Sequence, residues 1–439
     1  MATSAHMFSD LILCQWRDPS SSAKVTLTVS GGNLTIADVV AVSRQLALVK
    51  LASASIDAIK ACSRIISEKI TQGEVIYGVN TGLGGSADVR SDNVEGILQS
   101  LISHMTCGIV SDVEQGLDLN SNGNSSQIYG EDHPSNGRSN EQQKQRPASV
   151  PHSLPLNDSL AATCMSESWM RASLLTRLNS LAGGASGIRV NIAESLMNLL
   201  NKDVVPCIPV RGSISASGDL GAPAWIATLM QGKTSATPFG GPQHFEGARR
   251  VTRADVALLG ADITPISLHA KEGLAIVNGT AVSARVAALA AYESLNLAAL
   301  SQVLTAMSVK ALRGSDESFE PFIARVRLHP GQTDSARNIM AFLTDSRLLN
   351  RHDNRNIETL RQDRYSLRAA SQWIGPALED FGLAYDQLTV EFKSVTDNLL
   401  VDDTSPIYTA SKAAKNAIMS NFSTQYKKDV VLFLISAQT

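Results

Sequence analysis

The chain has 439 residues, with 38 Lys plus Arg against 41 Asp plus Glu and a net charge of −3, so neither a cationic field for nucleic acid nor an acidic tail dominates it. The length excludes a staple-dependent miniprotein, and a charged fraction of 18%, against ~25% for an ordinary soluble domain, points to surface buried between copies of the chain. The cysteines (Cys14, Cys62, Cys107, Cys164 and Cys207) form no CxxC pair and no metal-ligand spacing, which implies no disulfide framework, no metal site and a reducing, cytoplasmic setting.

Residues 1–33 read as an N-terminal extension. Their opening, MATSAHMFSDLILCQWRD, has no basic segment, and Asp10 breaks its short apolar run, so no secretory signal is expected. From Leu34 to about Ile70, Ala, Leu and Ile recur at three- and four-residue spacing behind Thr35, which predicts helix with one break near Ala52–Ser55. Between about residues 112 and 152 the chain turns to Asn, Ser, Gln, Gly and Glu, a composition too polar to offset its ordering entropy, and a disordered insert is expected there. SESWMRASLLTRLNSLAGGASGIRVNIAESLMNLLNKDVVP then predicts two helical stretches interrupted at LAGGASG and ended by Pro206.

The non-periodic PVRGSISASGDLGAP follows, completing a loop and helix domain over 34–265. A central bundle over 266–408 is marked by one long Ala/Leu pattern from Leu268 and another from Trp373 to Leu400. The expected class is therefore a mainly α, long-helix bundle. VVLFLI near the end is far too short to cross a bilayer, and neither GxGxxG nor GxxxxGK[ST] is present, so no membrane or nucleotide partner is expected.

The segment with the most specific chemistry is Ala216-Ser217-Gly218. Alone, such a tripeptide is usually an ordinary turn. In a strained loop, however, the Gly218 amide nitrogen can attack the Ala216 carbonyl, because glycine has no side chain to block the approach. Loss of water, including the Ser217 hydroxyl, then leaves a methylidene-imidazolone with an electrophilic carbon.

The segment GSISASGDL, together with YGVNTGLGGSADVR, LNSLAGGASGIR, KEGLAIVNGTAVSA, LHPGQTDSARNI, LRQDRYSLRAASQWIGP and SVTDNLL, resembles the aromatic amino acid and histidine ammonia-lyases, with all motifs in family order from about Leu34 to Tyr408. The wording is most similar to fungal phenylalanine lyases. That resemblance implies the ammonia-lyase (aspartase-like) helix bundle, a homotetramer, and a methylidene-imidazolone made from Ala216, Ser217 and Gly218 as the cofactor, with no external cofactor.

The same resemblance assigns roles. Tyr77 matches the acid/base tyrosine, which must remove a weakly acidic β proton and so needs a pKa below the ordinary ~10. Arg368 matches the arginine that binds the substrate carboxylate, a task suited to a planar, permanently charged guanidinium. Tyr365 matches a second active-site tyrosine, with Gln362 orienting the substrate. Asn278 and Asn398 match site asparagines. His104 and Met105 fall where relatives place the pair meeting the aromatic ring; a His there accommodates a phenolic hydroxyl, and Met105 favours phenylalanine over tyrosine.

The implied reaction is deamination of L-phenylalanine to trans-cinnamate. A histidine lyase, an aromatic 2,3-aminomutase, and an impaired relative acting as partner of a longer lyase share these motifs and stay open. Past Tyr408 the motif order ends, and residues 409–439 read as a non-family tail that leaves the bundle short of its last helices. With it the implied tetramer is expected to be incomplete.

Overall fold

The computed structural model describes residues 8–22, 26–82, 89–106, 163–212, 220–240, 251–350, 362–397 and 399–401. The Asn/Ser-rich insert and the segment from 402 onward lie outside them.

The first helix, α1 (Phe8–Ser22), is followed by strand β1 (Leu27–Val29) and helix α2 (Ile36–Arg44). A reciprocal cap starts α2: Thr35 Oγ1 accepts from the Asp38 N–H at 3.1 Å while Asp38 Oδ2 accepts from the Thr35 N–H at 3.0 Å. The helix expected to run on to Ile70 breaks earlier than Ala52. Leu46 takes φ 59°, and strand β2 (Val49–Leu51) pairs in parallel with β1 before α3 (Ser53–Thr71) begins. Three-residue strands have no alternation to read, which is why the sequence pattern passes over them.

After α4 (Val94–Thr106) comes α5 (Glu167–Ala182), around which the rest is built: every residue but Trp169 is buried. Several of its polar side chains are hydrogen-bonded, which offsets their burial. Arg171 bonds the Val42 carbonyl and Asp203, and Asn179 joins Gly31 to the Phe392 carbonyl. Next in order are α6 (Val190–Asn201), β3 (Val205–Pro206), α7 (Gly221–Met230), β4 (Pro238–Phe239), which pairs antiparallel with β3, and α8 (Ala254–Gly260).

The short α9 (Glu272–Val277) precedes α10 (Ala281–Ala311), whose 31 residues span about 45 Å. After α11 (Pro321–Val326), α12 (Pro330–Leu343) and the one-turn α13 (Tyr365–Arg368), α14 (Ala370–Phe392) runs antiparallel to α10. Its end meets the start of α10 where Thr280 Oγ1 donates to Glu391, and its start packs with Ala306 and Val309 at the far end. On its other side α14 crosses α12 glycine to glycine, since a Cβ on Gly375 would lie 2.3 Å from the Gln332 nitrogen. Glu379 then accepts from the Gly331 N–H at 3.0 Å and caps the first turn of α12. The long pattern from Leu268 is split at Asn278 and Gly279 into α9 and α10, and the one expected to reach Leu400 ends, as α14, at Phe392; the mainly α bundle is as expected. The stretch Glu272–Ala311 is apolar enough to cross a membrane by composition, yet 61% of its most apolar window is buried inside the protein, as in a core helix.

Candidate active site

The end of the molecule where α10 begins collects most of the sequence motifs. Tyr77 is half-buried in the turn between α3 and α4. That turn is held locally: Asn80 accepts from the Ile76 N–H at 2.7 Å and donates to the Glu74 carbonyl, and Thr81 Oγ1 accepts from Gly78, which sits at φ 66°. Ile76 and Val79 on either side of Tyr77 pack with Cys62, Ile66, Leu399 and Val401, so the turn is fastened to the SVTDNLL segment.

Beside it, α4 lies over α9 because Gly273 has no side chain; a Cβ there would come within 2.0 Å of Leu98. His104 is exposed and Met105 half-buried on the last turn of α4. Gln99 of α4 bonds Gln231, at the end of α7, at 2.9 Å. The helix α7 begins three residues beyond Gly218 in sequence. Ala216, Ser217 and Gly218 themselves, and Asn398, lie outside the described residues.

Asn278 closes α9, its N–H donating to the Leu274 carbonyl at 2.9 Å. The carbonyls of Ala275, Ile276 and Asn278, which a helix end leaves without partners, all accept from the buried guanidinium of Arg177. Burial pushes Arg177 below its ordinary pKa, with Asp397 opposing. Gly279 follows at φ 133°, where a Cβ would meet Arg177 Nη1 and Thr396 Oγ1, both at 2.8 Å. Thr396 Oγ1 accepts from the Thr280 N–H at 3.2 Å.

One residue on, Asp397 accepts from Lys271 at 2.8 Å, both side chains being 0% exposed. Burial lowers the Lys271 pKa, against the pull of Asp397. Glu272, also buried, receives Arg189 through two bonds, at 2.7 and 2.8 Å. Arg177, Lys271, Glu272 and Asp397 were not singled out from sequence. Their visible signal is a charge placed inside an apolar motif, as in KEGLAIV and TDNLL.

Gln362, Tyr365 and Arg368 sit at the opposite end of α10. Their segment is anchored there by Asp363, which accepts from the Ser315 N–H at 2.7 Å, and by Leu367, packed on Phe319, Ile339 and Leu343. Gln362 and Tyr365 are exposed. The Arg368 guanidinium stacks 5.1 Å from the Tyr365 ring centroid, and its buried Nε has no hydrogen-bond partner among the described residues. Within one chain, therefore, the expected site residues form two groups, Tyr77, His104, Met105 and Asn278 at one end and Gln362, Tyr365 and Arg368 at the other, separated by the ~45 Å of α10.

The family model described as aromatic amino acid lyase matches residues 34–428. The chain belongs to that family. Among curated relatives of this aromatic amino acid lyase, phenylalanine ammonia-lyase 2 of Pleurotus ostreatus is 40% identical over 385 residues, covering 86% of this chain and 47% of the relative. A phenylalanine aminomutase (L-beta-phenylalanine forming) of Talaromyces islandicus is 37% identical over 388 residues, covering 87% and 48%. The chain thus spans about half the length of the curated relatives it matches. The crystal structure of phenylalanine ammonia lyase from Rhodosporidium toruloides superposes with a TM-score of 0.73 at 27% identity, covering 95% of this chain and 54% of that one. The ammonia-lyase fold expected from the motifs is the fold of this aromatic amino acid lyase.

Proposed function

We propose that this chain carries the residues of a phenylalanine ammonia-lyase, which removes ammonia non-oxidatively from L-phenylalanine, and less readily from L-tyrosine, to give trans-cinnamate or its hydroxylated counterpart. The observation that carries this reading is the grouping of the Tyr77 turn, of α4 with His104 and Met105, and of Asn278 at the end of α10, where α7, the helix that follows the Ala216-Ser217-Gly218 segment, also packs, in a chain whose fungal relatives bear that name.

The segment fits the self-made group chemically. Gly218 has no side chain to hinder its amide nitrogen in attacking the Ala216 carbonyl, Ser217 brings a hydroxyl to be lost as water, and Gly212 at φ 93° turns the chain into the segment. Once formed, the methylidene-imidazolone supplies an electrophilic carbon that draws electrons from the substrate. Arg368 receives the substrate carboxylate through its unpartnered Nε edge, with Tyr365 stacked to hold the guanidinium plane and Gln362 beside it. Tyr77 takes the β proton. Met105 and His104 face the ring, and Asn278, with Asn398, steadies negative charge near the segment.

Two groups of residues ~45 Å apart cannot meet on one substrate, so we place each site between copies of the chain, in a homotetramer. Supporting this, α10 exposes an apolar stripe, Leu297, Leu300, Leu304 and Met307, at helical spacing, and α14 exposes Leu383 and Val390. We place the protein in the cytoplasm, acting on small aromatic amino acids without a membrane or nucleic-acid partner.

The test is purified protein incubated separately with phenylalanine, tyrosine and histidine, followed by the ultraviolet absorbance of a conjugated acid and by borohydride labelling, with Ser217→Ala as the unlabelled control. Cinnamate from phenylalanine together with a Ser217-dependent label supports the reading; no product from any of the three and no label would sink it. A second reading, an aminomutase, draws on the Talaromyces islandicus relative, and a β-amino acid product would select it.

A further inference from the structure

Two cysteines that the sequence leaves 43 residues apart meet in the fold. Residues 163–165 run antiparallel to 208–210: the Met165 N–H donates to the Ile208 carbonyl at 2.8 Å, the Val210 N–H to the Thr163 carbonyl at 2.9 Å, and Cys164 stands opposite Pro209. In such a ladder the residue two places from the opposed one shares its face. Cys207 is that residue, and its Sγ lies 2.8 Å from Cys164 Sγ. The backbone on both sides is fixed, because Cys207 donates its N–H to the Thr237 carbonyl at 3.0 Å and Ser166, two residues after Cys164, caps α5. Cys164 is buried in the main core while Cys207 is half-buried, so Cys207 is the more accessible of the two.

We propose that Cys164 and Cys207 are a dithiol that closes reversibly to a disulfide by exchange with a low-molecular-weight disulfide of the glutathione type. The Cys207 thiol loses its proton and attacks one sulfur of the reagent, forming a mixed disulfide and releasing the first glutathione thiolate. Cys164, already in contact, loses its proton and attacks the Cys207 sulfur. The Cys164–Cys207 bond forms, the mixed bond breaks, and the second glutathione leaves as thiolate. Two protein thiols are oxidised by two electrons, the reagent disulfide is reduced to two thiols, and the two protons pass to the departing thiolates. The two residues share one face of the ladder on a diagonal, and their sulfurs at 2.8 Å have only a short way to close to a bond.

The position gives the bond a consequence. Cys207 lies nine residues before Ala216, on the segment that leads into Ala216-Ser217-Gly218. A closed bond ties the root of that segment covalently to the start of α5, the most deeply buried helix. This reading of the pair is independent of the proposed activity.

The full chain is equilibrated across a series of reduced to oxidised glutathione ratios, quenched by alkylation and digested without reductant. The expected result is a Cys164–Cys207 linked peptide pair appearing as the ratio becomes oxidising, with a loss of two alkylatable thiols per chain that reductant restores. Cys164→Ser is expected to leave Cys207 as a stable glutathione adduct. The proposal is overturned if, in the unaltered chain, Cys207 stays alkylatable or stops at the glutathione adduct while exposed Cys14 reacts, or if Cys164 links to another cysteine. Should Cys164→Ser fail to fold, the digest of the unaltered chain decides alone.

Discussion

Lys271 and Asp397, 126 residues apart in sequence, form an ion pair with both side chains wholly buried, Nζ to Oδ2 at 2.8 Å. The pair joins the start of α9 to the segment that leaves α14, immediately before Asn398. Removing one partner strands the other charge away from water, which typically costs about 3–5 kcal/mol, whereas replacing both by apolar groups of like volume is often neutral. Lys271→Met should therefore lower unfolding stability by about that amount, and adding Asp397→Leu should recover part of it, the rest being the support that Asp397 gives to buried Arg177. Urea denaturation of the two single variants and the double variant checks this; an additive double variant would mean the charges do not act as a pair.

The crossing of α12 and α14 is set by glycine. A Cβ on Gly375 would fall 2.3 Å from the Gln332 nitrogen, whereas one on Gly382, two turns further along the same helix, would meet only Leu11, at 4.0 Å. Gly375→Ala should thus destabilise by about 3 kcal/mol through overpacking. Gly382→Ala should stabilise by about 0.5–1 kcal/mol, because it removes helix-interior glycine without a clash. Thermal unfolding of the two variants should shift in opposite directions.

Arg368→Lys tests the carboxylate contact. Lysine keeps the charge but loses the planar fork and the Nε donor. The expected outcome is a KM for phenylalanine raised by about tenfold or more, the equivalent of one charged hydrogen bond, with an unchanged thermal midpoint. An unaltered KM would remove Arg368 from substrate binding.

The division of the site residues between the two ends of α10 gives a test of its own. If each site draws on more than one copy, a Tyr77→Phe chain and an Arg368→Ala chain, both inactive alone, should regain activity when co-expressed, since mixed assemblies hold some sites with both residues intact. Absence of recovery in a confirmed mixed assembly would place both residues in the same copy's site.

Much of this was legible in the sequence, and for physical reasons. The long helices α10 and α14 announce themselves by Ala/Leu periodicity, but the single pattern from Leu268 hides the break between α9 and α10, which falls at Gly279 in a conformation at φ 133° that other residues resist. Tyr77, Asn278 and Arg368 stand out only because whole motifs surround them. What local pattern cannot carry is pairing at long range. Arg177 reaches across 99 residues to the carbonyl of Ile276, and nothing in SLLTRLNSL says which helix end it will serve. Likewise β1 and β2 are three residues each and gain their identity from one another.

The near-complete burial of α5 bears on how the protein opens to solvent. Its amides are enclosed by α2, α6 and α10 and its side chains bond carbonyls on separate parts of the chain, so no local fraying can expose them. Its backbone deuterium uptake should be the slowest in the molecule and track global unfolding. The one-turn α13, which buries none of its residues fully, should exchange through small local openings, leaving that end of the bundle free to adjust while the centre stays shut.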